Sequence, residues 1–242
     1  MTGIKFKERN SHMDIVHGLE DVLFRNVNDV DFREVLAFVA RQSEERQREL
    51  LTLCKRALYN AEYRKAENLR IAAVRLLVAL APRSAECIEG LFRNMEGEDI
   101  YEVHFTLLCY LEWLPLIAGA EELADNVPGM LAKYLADIEV DTADAAWMAG
   151  DLLGEYWELG ESLDVLLAAA EFARHPAGQE GALYGLRHAL GRLGDRERID
   201  EVMETLRRIA GEDEDPEIRS RAASLVHEYI ATLHRDWFGR RK

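Results

Sequence analysis

The sequence is poor in the features that usually announce chemistry or a special environment. Its three cysteines, Cys54, Cys87 and Cys109, lie far apart and form no CxxC pair. That spacing excludes a zinc knuckle and a disulfide framework, and reduced thiols packed in a cytoplasmic protein are expected instead. There are only 5 prolines and no Ser/Gly-rich or low-complexity run, so no flexible linker is predicted. One continuous unit over residues 14–238 is expected, with 1–13 as an extension and 239–242 as a short basic tail. Ser11-His12-Met13 resembles a cloning junction, which would put the native start at Met13. No segment approaches the ~18 uninterrupted apolar residues of a membrane span, and Lys5, Lys7 and Arg9 are not followed by a signal-peptide core. A cytoplasmic protein without a membrane partner is the expectation.

Catalytic motifs are also missing. No GxGxxG follows a strand, no phosphate loop exists, and no serine sits in a GxSxG elbow. Asp141-Thr-Ala-Asp144 has neither the spacing nor the glycine of a calcium loop. His227-Glu228 begins like a zincin motif, but Ala231 stands where the second histidine is needed. His188, His227 and His234 read as surface or packing residues. No catalytic residue, metal site or cofactor is therefore expected.

Strand patterning is nearly absent too, whereas apolar residues recur at spacings of three and four from Asp14 to Trp237. The chain is expected to be helical throughout. Breaks are predicted at 26–29, 60–64, 81–82, 95–98, 115–119, 138–141, 159–160, 176–178, 193–194 and 211–216. Gly150 and Gly154 fall inside a helix, where they permit close packing at ~1 kcal/mol each relative to alanine.

One helix pattern recurs. Residues 69–80, 145–156, 182–193 and 218–229 share a small/large rhythm, and anchoring on Leu76, Leu152, Ala189 and Leu225 gives spacings of 76, 37 and 36 residues. An irregular unit around residues 101–114 fills the first interval. Small residues such as Ala73, Ala149 and Ala222 allow close approach, while the leucines fill the seam. Asp215-Pro216-Glu217-Ile218-Arg219, followed by Ala222-Ala223 and Leu225, resembles the turn and second helix of a HEAT repeat. Leu69-Arg70 with Ala72-Ala73 and Leu76-Leu77 is similar. The resemblance covers residues 60–235 and implies an all-α, right-handed α-α superhelix of about five to six helical hairpins. It also implies that the second helix of each hairpin lines a concave side.

The net charge of −15 is concentrated. Residues 81–180 carry four Lys/Arg against 21 Asp/Glu, while residues 1–80 carry 14 against 12 and residues 181–242 carry 12 against 12. A surface so acidic suits a basic protein or peptide and is a poor partner for nucleic acid. Asp144, Asp151, Glu155 and Glu158 share one side of a helix at ~100° per residue, opposite Ala145, Ala149, Leu152, Tyr156 and Leu159. Trp147 falls beside the acids, and Tyr184 is its counterpart one repeat later. An aromatic ringed by carboxylates has the composition of an interface anchor, so these six polar and aromatic residues form the expected partner-binding surface.

The expected function is that of a non-enzymatic scaffold or adaptor for a basic partner, an immunity-type inhibitor being one form of it. Two alternatives carry other consequences. Alkylpurine DNA glycosylases of the AlkD type are HEAT-like and of similar length, and Trp113, Trp147 and Trp157 with Asp144 or Asp151 would be their aromatic and acidic members. Only Arg93 and Lys133 lie between residues 84 and 173, too few to offset duplex phosphates. Alternatively, arginines of the C-terminal part, among them Arg187, Arg192 and Arg219, would support self-association with the acidic centre of a second copy.

Overall fold

The computed structural model describes residues 31–93, 101–136, 143–157 and 159–239. The described residues are helical and contain no strand. In chain order the α-helices are α1 (Phe32–Ala40), α2 (Glu44–Tyr59), α3 (Glu67–Ala79), α4 (Ala81–Arg93), α5 (Tyr101–Leu111), α6 (Glu121–Ala136), α7 (Ala143–Asp151), α8 (Leu159–Phe172), α9 (Pro176–Arg192), α10 (Arg196–Glu212) and α11 (Pro216–Gly239). Short 3-10 turns fall at Ala61–Tyr63 and Leu114–Leu116, and a π-helical turn, Leu152–Tyr156, extends α7. No described helix is long and apolar enough to cross a membrane. The chain divides into two compact units, Met1–Leu123 and Ala124–Lys242.

The first unit is organised around α3. Every residue from Leu69 to Ala79 is buried, which requires neighbours on all sides of the helix, and α1, α2, α4 and α5 supply them. Burial extends to two arginines, Arg70 at 5% and Arg75 at 7% exposure. The Arg75 guanidinium lies 5.3 Å from the centre of the Tyr110 ring, a cation–π contact that offsets part of its desolvation. Phe32 packs against Tyr110 and Trp113 with ring centres 4.6 and 5.7 Å apart. Local signals set the helix starts. Asp31 accepts from the Arg33 N–H to cap α1, and Ser43 accepts from the Arg46 N–H to cap α2. Cys54 and Cys87 are buried in this unit, and desolvation pushes the Cys54 thiol up.

In the second unit α9 holds the central place, touching α7, α8, α10 and α11. Its contact with α7 is unusually close because of glycines. A Cβ added at Gly150 would meet the Gly181 carbonyl, one at Gly181 the Ala146 carbonyl, one at Gly154 the Gly185 carbonyl and one at Gly185 the Gly150 carbonyl. The rising numbers on both sides show that α7 and α9 run parallel, with α8 returning between them. The expectation that Gly150 and Gly154 serve close packing is therefore met, and their partners are glycines as well. The turn before α11 follows from its sequence: Asp215 accepts from the Glu217 N–H at 2.7 Å, and Pro216 opens the helix where its missing donor costs nothing. Buried Gln179 donates to the Ala170 carbonyl at 3.2 Å and to Asp213 at 2.9 Å, tying α8, α9 and that turn together.

Most predicted breaks that fall in described residues coincide with turns. Three predicted breaks, at 81–82, 159–160 and 176–178, instead lie in the first turn of a helix, the chain breaking just before Ala81, Leu159 and Pro176. A turn at Arg41–Ser43 was not expected and separates α1 from α2. The predicted breaks at 26–29, 95–98 and 138–141 lie outside the described residues.

Candidate functional site

The predicted surface was read as one straight helix running from Asp144 to Glu158. The structure corrects this: α7 is α-helical only to Asp151, and Leu152–Tyr156 form a π turn. Tertiary contacts account for the change. Gly154 sits against Gly185, and Arg192 of α9 donates to the Gly154 carbonyl at 2.7 Å and the Trp157 carbonyl at 3.0 Å, satisfying oxygens that the wider turn leaves over. The rotation also moves Tyr156 off the predicted apolar stripe, leaving it 40% exposed, and buries Trp157 to 4% exposure. π turns of this kind recur at functional sites.

The glycine interlock determines which side chains meet. Ala146, Gly150 and Gly154 form the buried row of the first helix, and Trp147, Asp151 and Glu155 form the row beside it. On α9, Gly181 and Gly185 form the buried row, and Tyr184 and His188 flank it. Drawing the two backbones together therefore brings the flanking rows into contact. The Trp147 and Tyr184 rings lie 4.7 Å apart between centres, and Tyr184 and His188 lie 4.8 Å apart. His188 closes the row against the acids, with Nε2 3.5 Å from Asp151 Oδ1 and Nδ1 3.4 Å from Glu155 Oε2.

This arrangement unites five groups: Trp147, Tyr184, Asp151, Glu155 and His188. Trp147 is 43% exposed, so it retains an open face while resting on Tyr184. Asp144 is exposed in the first turn of α7, three residues before Trp147. Burial raises the Asp151 carboxyl above its ordinary range, with His188 opposing the shift and Glu155 adding to it. Burial and the two carboxylates, against Arg187, likewise raise the Tyr184 hydroxyl, which stays neutral and able to donate. Glu158 lies outside the described residues.

His188 was read from the sequence as a surface or packing residue, yet it is central to the constellation. A signal for it existed. The offset of 37 residues that pairs Trp147 with Tyr184 pairs Asp151 with His188. Of the residues considered for a glycosylase-like site, Trp157 is buried, and Trp113 belongs to the first unit, where Phe32 packs on it and Arg33 lies 5.7 Å from its ring centre.

Comparison with known proteins adds no relative: no family model, no curated protein and no solved structure matches this chain.

Proposed function

We propose that the protein is a non-enzymatic binding module of HEAT-like architecture that takes a basic segment of a partner protein on the α7–α9 surface. The supporting observation is the stacked Trp147–Tyr184 pair, half open to solvent, with carboxylates on the same surface. An aromatic face beside carboxylates suits a lysine or arginine side chain, because the ring quadrupole and the anions attract the same cation. Neighbouring Asp144 and Glu155 extend the negative potential, and the acidic composition of residues 81–180 steers a cationic partner by long-range attraction. The parallel pairing of α7 with α9 at the offset found by aligning the repeats supports the HEAT-like part of the reading.

The test is a titration with a fluorescently labelled Arg/Lys-rich peptide, with an acidic peptide and duplex DNA as comparators. Binding to the basic peptide should weaken as salt rises. Trp147→Ala and Tyr184→Ala should each weaken it about tenfold, equivalent to ~1.4 kcal/mol. Equal affinity in the wild type and both variants, or a preference for DNA, would remove this reading.

A further inference from the structure

The contacts of His188 point to something an acidic docking surface does not require. Asp151 Oδ1 and His188 Nε2 are both shut off from solvent, and neither makes a hydrogen bond. Each atom is the other's ionic partner without a hydrogen bond between them, a spacing at which an ion ligated by both would satisfy the two together. They stand 3.5 Å apart. Two donors each ~2.1 Å from a tetrahedral zinc ion lie about 3.4 Å apart, so the present separation already matches one edge of a zinc coordination shell. Glu155 offers a third oxygen: one ligand atom from each of Asp151, Glu155 and His188 can be chosen with all three within 4.8 Å of one another. Its side chain is 47% exposed, and its Oε2 stands 3.4 Å from His188 Nδ1, so it joins the ion by swinging from that nitrogen to the Nε2 side.

We infer that Asp151, Glu155 and His188 form a binding site for a divalent transition-metal ion of the zinc type. The donor set selects the ion. An imidazole nitrogen is a poor ligand for calcium or magnesium, which take oxygen donors, and a good one for zinc and its first-row neighbours. Three protein ligands leave a fourth tetrahedral position for water on the solvent side, where Glu155 is exposed. The site is built on two helices locked together by glycine contacts, so its first two ligands are held in place before the ion arrives. No local ligand motif suggests it, because the ligands come from chain segments 37 residues apart. The inference does not depend on the basic-partner reading, since metal binding is measured on the isolated chain.

Calorimetric titration of the metal-free chain with Zn²⁺ should show one site per chain. Asp151→Asn and His188→Gln should each weaken it by about 100-fold and Glu155→Gln by about 10-fold, while Glu204→Gln, on exposed surface of α10, leaves it unchanged. Thermal melts establish that each variant is folded. Cobalt substitution of the wild type supplies a second readout: intense visible bands of tetrahedral Co²⁺ without a thiolate-to-metal band are expected. Absence of one-site binding, wild-type affinity in Asp151→Asn and His188→Gln, or a thiolate band assigning the ion to a cysteine would each overturn the inference.

Discussion

The two units solve the problem of burying helices in opposite ways. Around α3 the first unit fills space with bulk: Leu69, Ile71, Val74, Leu76, Leu77 and Val78 are buried together, and even Arg70 and Arg75 are drawn inside. Between α7 and α9 the second unit removes bulk, and glycine backbones touch where side chains would otherwise stand. A core made of large residues holds its helices apart and hides their polar neighbours or pairs them with rings, as with Arg75 and Tyr110. A glycine interlock instead brings the rows on either side of it together at the surface. The second arrangement can build a site from residues on two helices, and the candidate site lies there.

The contrast predicts that the first unit fails by subtraction and the second by addition. Leu76→Ala removes a fully buried side chain from α3 and should cost about 2–5 kcal/mol, read as a lower denaturant midpoint. Gly150→Ala adds a single methyl group where the Gly181 carbonyl already lies and should cost about 1–3 kcal/mol. It should also disturb the Trp147–Tyr184 contact, visible in near-ultraviolet circular dichroism. If Gly150→Ala is neutral, the interlock is not what sets the helix spacing.

Gly191, also on α9, has nothing within 4 Å of an added Cβ. The same methyl there should stabilise by up to about 0.5–1 kcal/mol through helix propensity alone. Opposite signs for Gly150→Ala and Gly191→Ala on equilibrium unfolding would separate packing from propensity. Asp151→Asn sharpens the comparison from another side. It removes a charge that burial and Glu155 disfavour and that His188 only partly offsets, so the metal-free variant should melt slightly above the wild type. Gained stability with lost zinc affinity would mark Asp151 as a residue held against its own stability. A lower melting temperature would show that the charge is matched within the fold.

Much of this was legible in the sequence. The helical class follows from spacings of three and four, and of the residues named from the recurring pattern Ala73, Leu76, Ala149, Leu152, Ala189 and Ala222 are buried, whereas the anchor Leu225 is only half-buried. Trp147 was separated from the apolar stripe by angle alone, and its exposure agrees with that. Repeat alignment made Tyr184 the counterpart of Trp147 one repeat later, and the two rings lie 4.7 Å apart. The π turn was not legible, because no proline or glycine marks Trp157 or Glu158, and the contacts that favour the turn come from Arg192 and Gly185 on another helix. The misread exposure of Tyr156 follows from the same cause, whereas the partnership of His188 with Asp151 was signalled by the 37-residue offset.

Local periodicity determined which residues form helices and, across most of the chain, which side of each helix is buried, since those depend on neighbours three or four positions away. The placement of the acidic block was likewise fixed in the sequence. Which polar groups meet was decided only by tertiary packing. Asp151 and His188 are 37 residues apart, and their separation of 3.5 Å depends on the register and approach of two helices whose glycines let the backbones touch. A glycine in sequence marks a missing side chain, and only the fold shows what occupies the space.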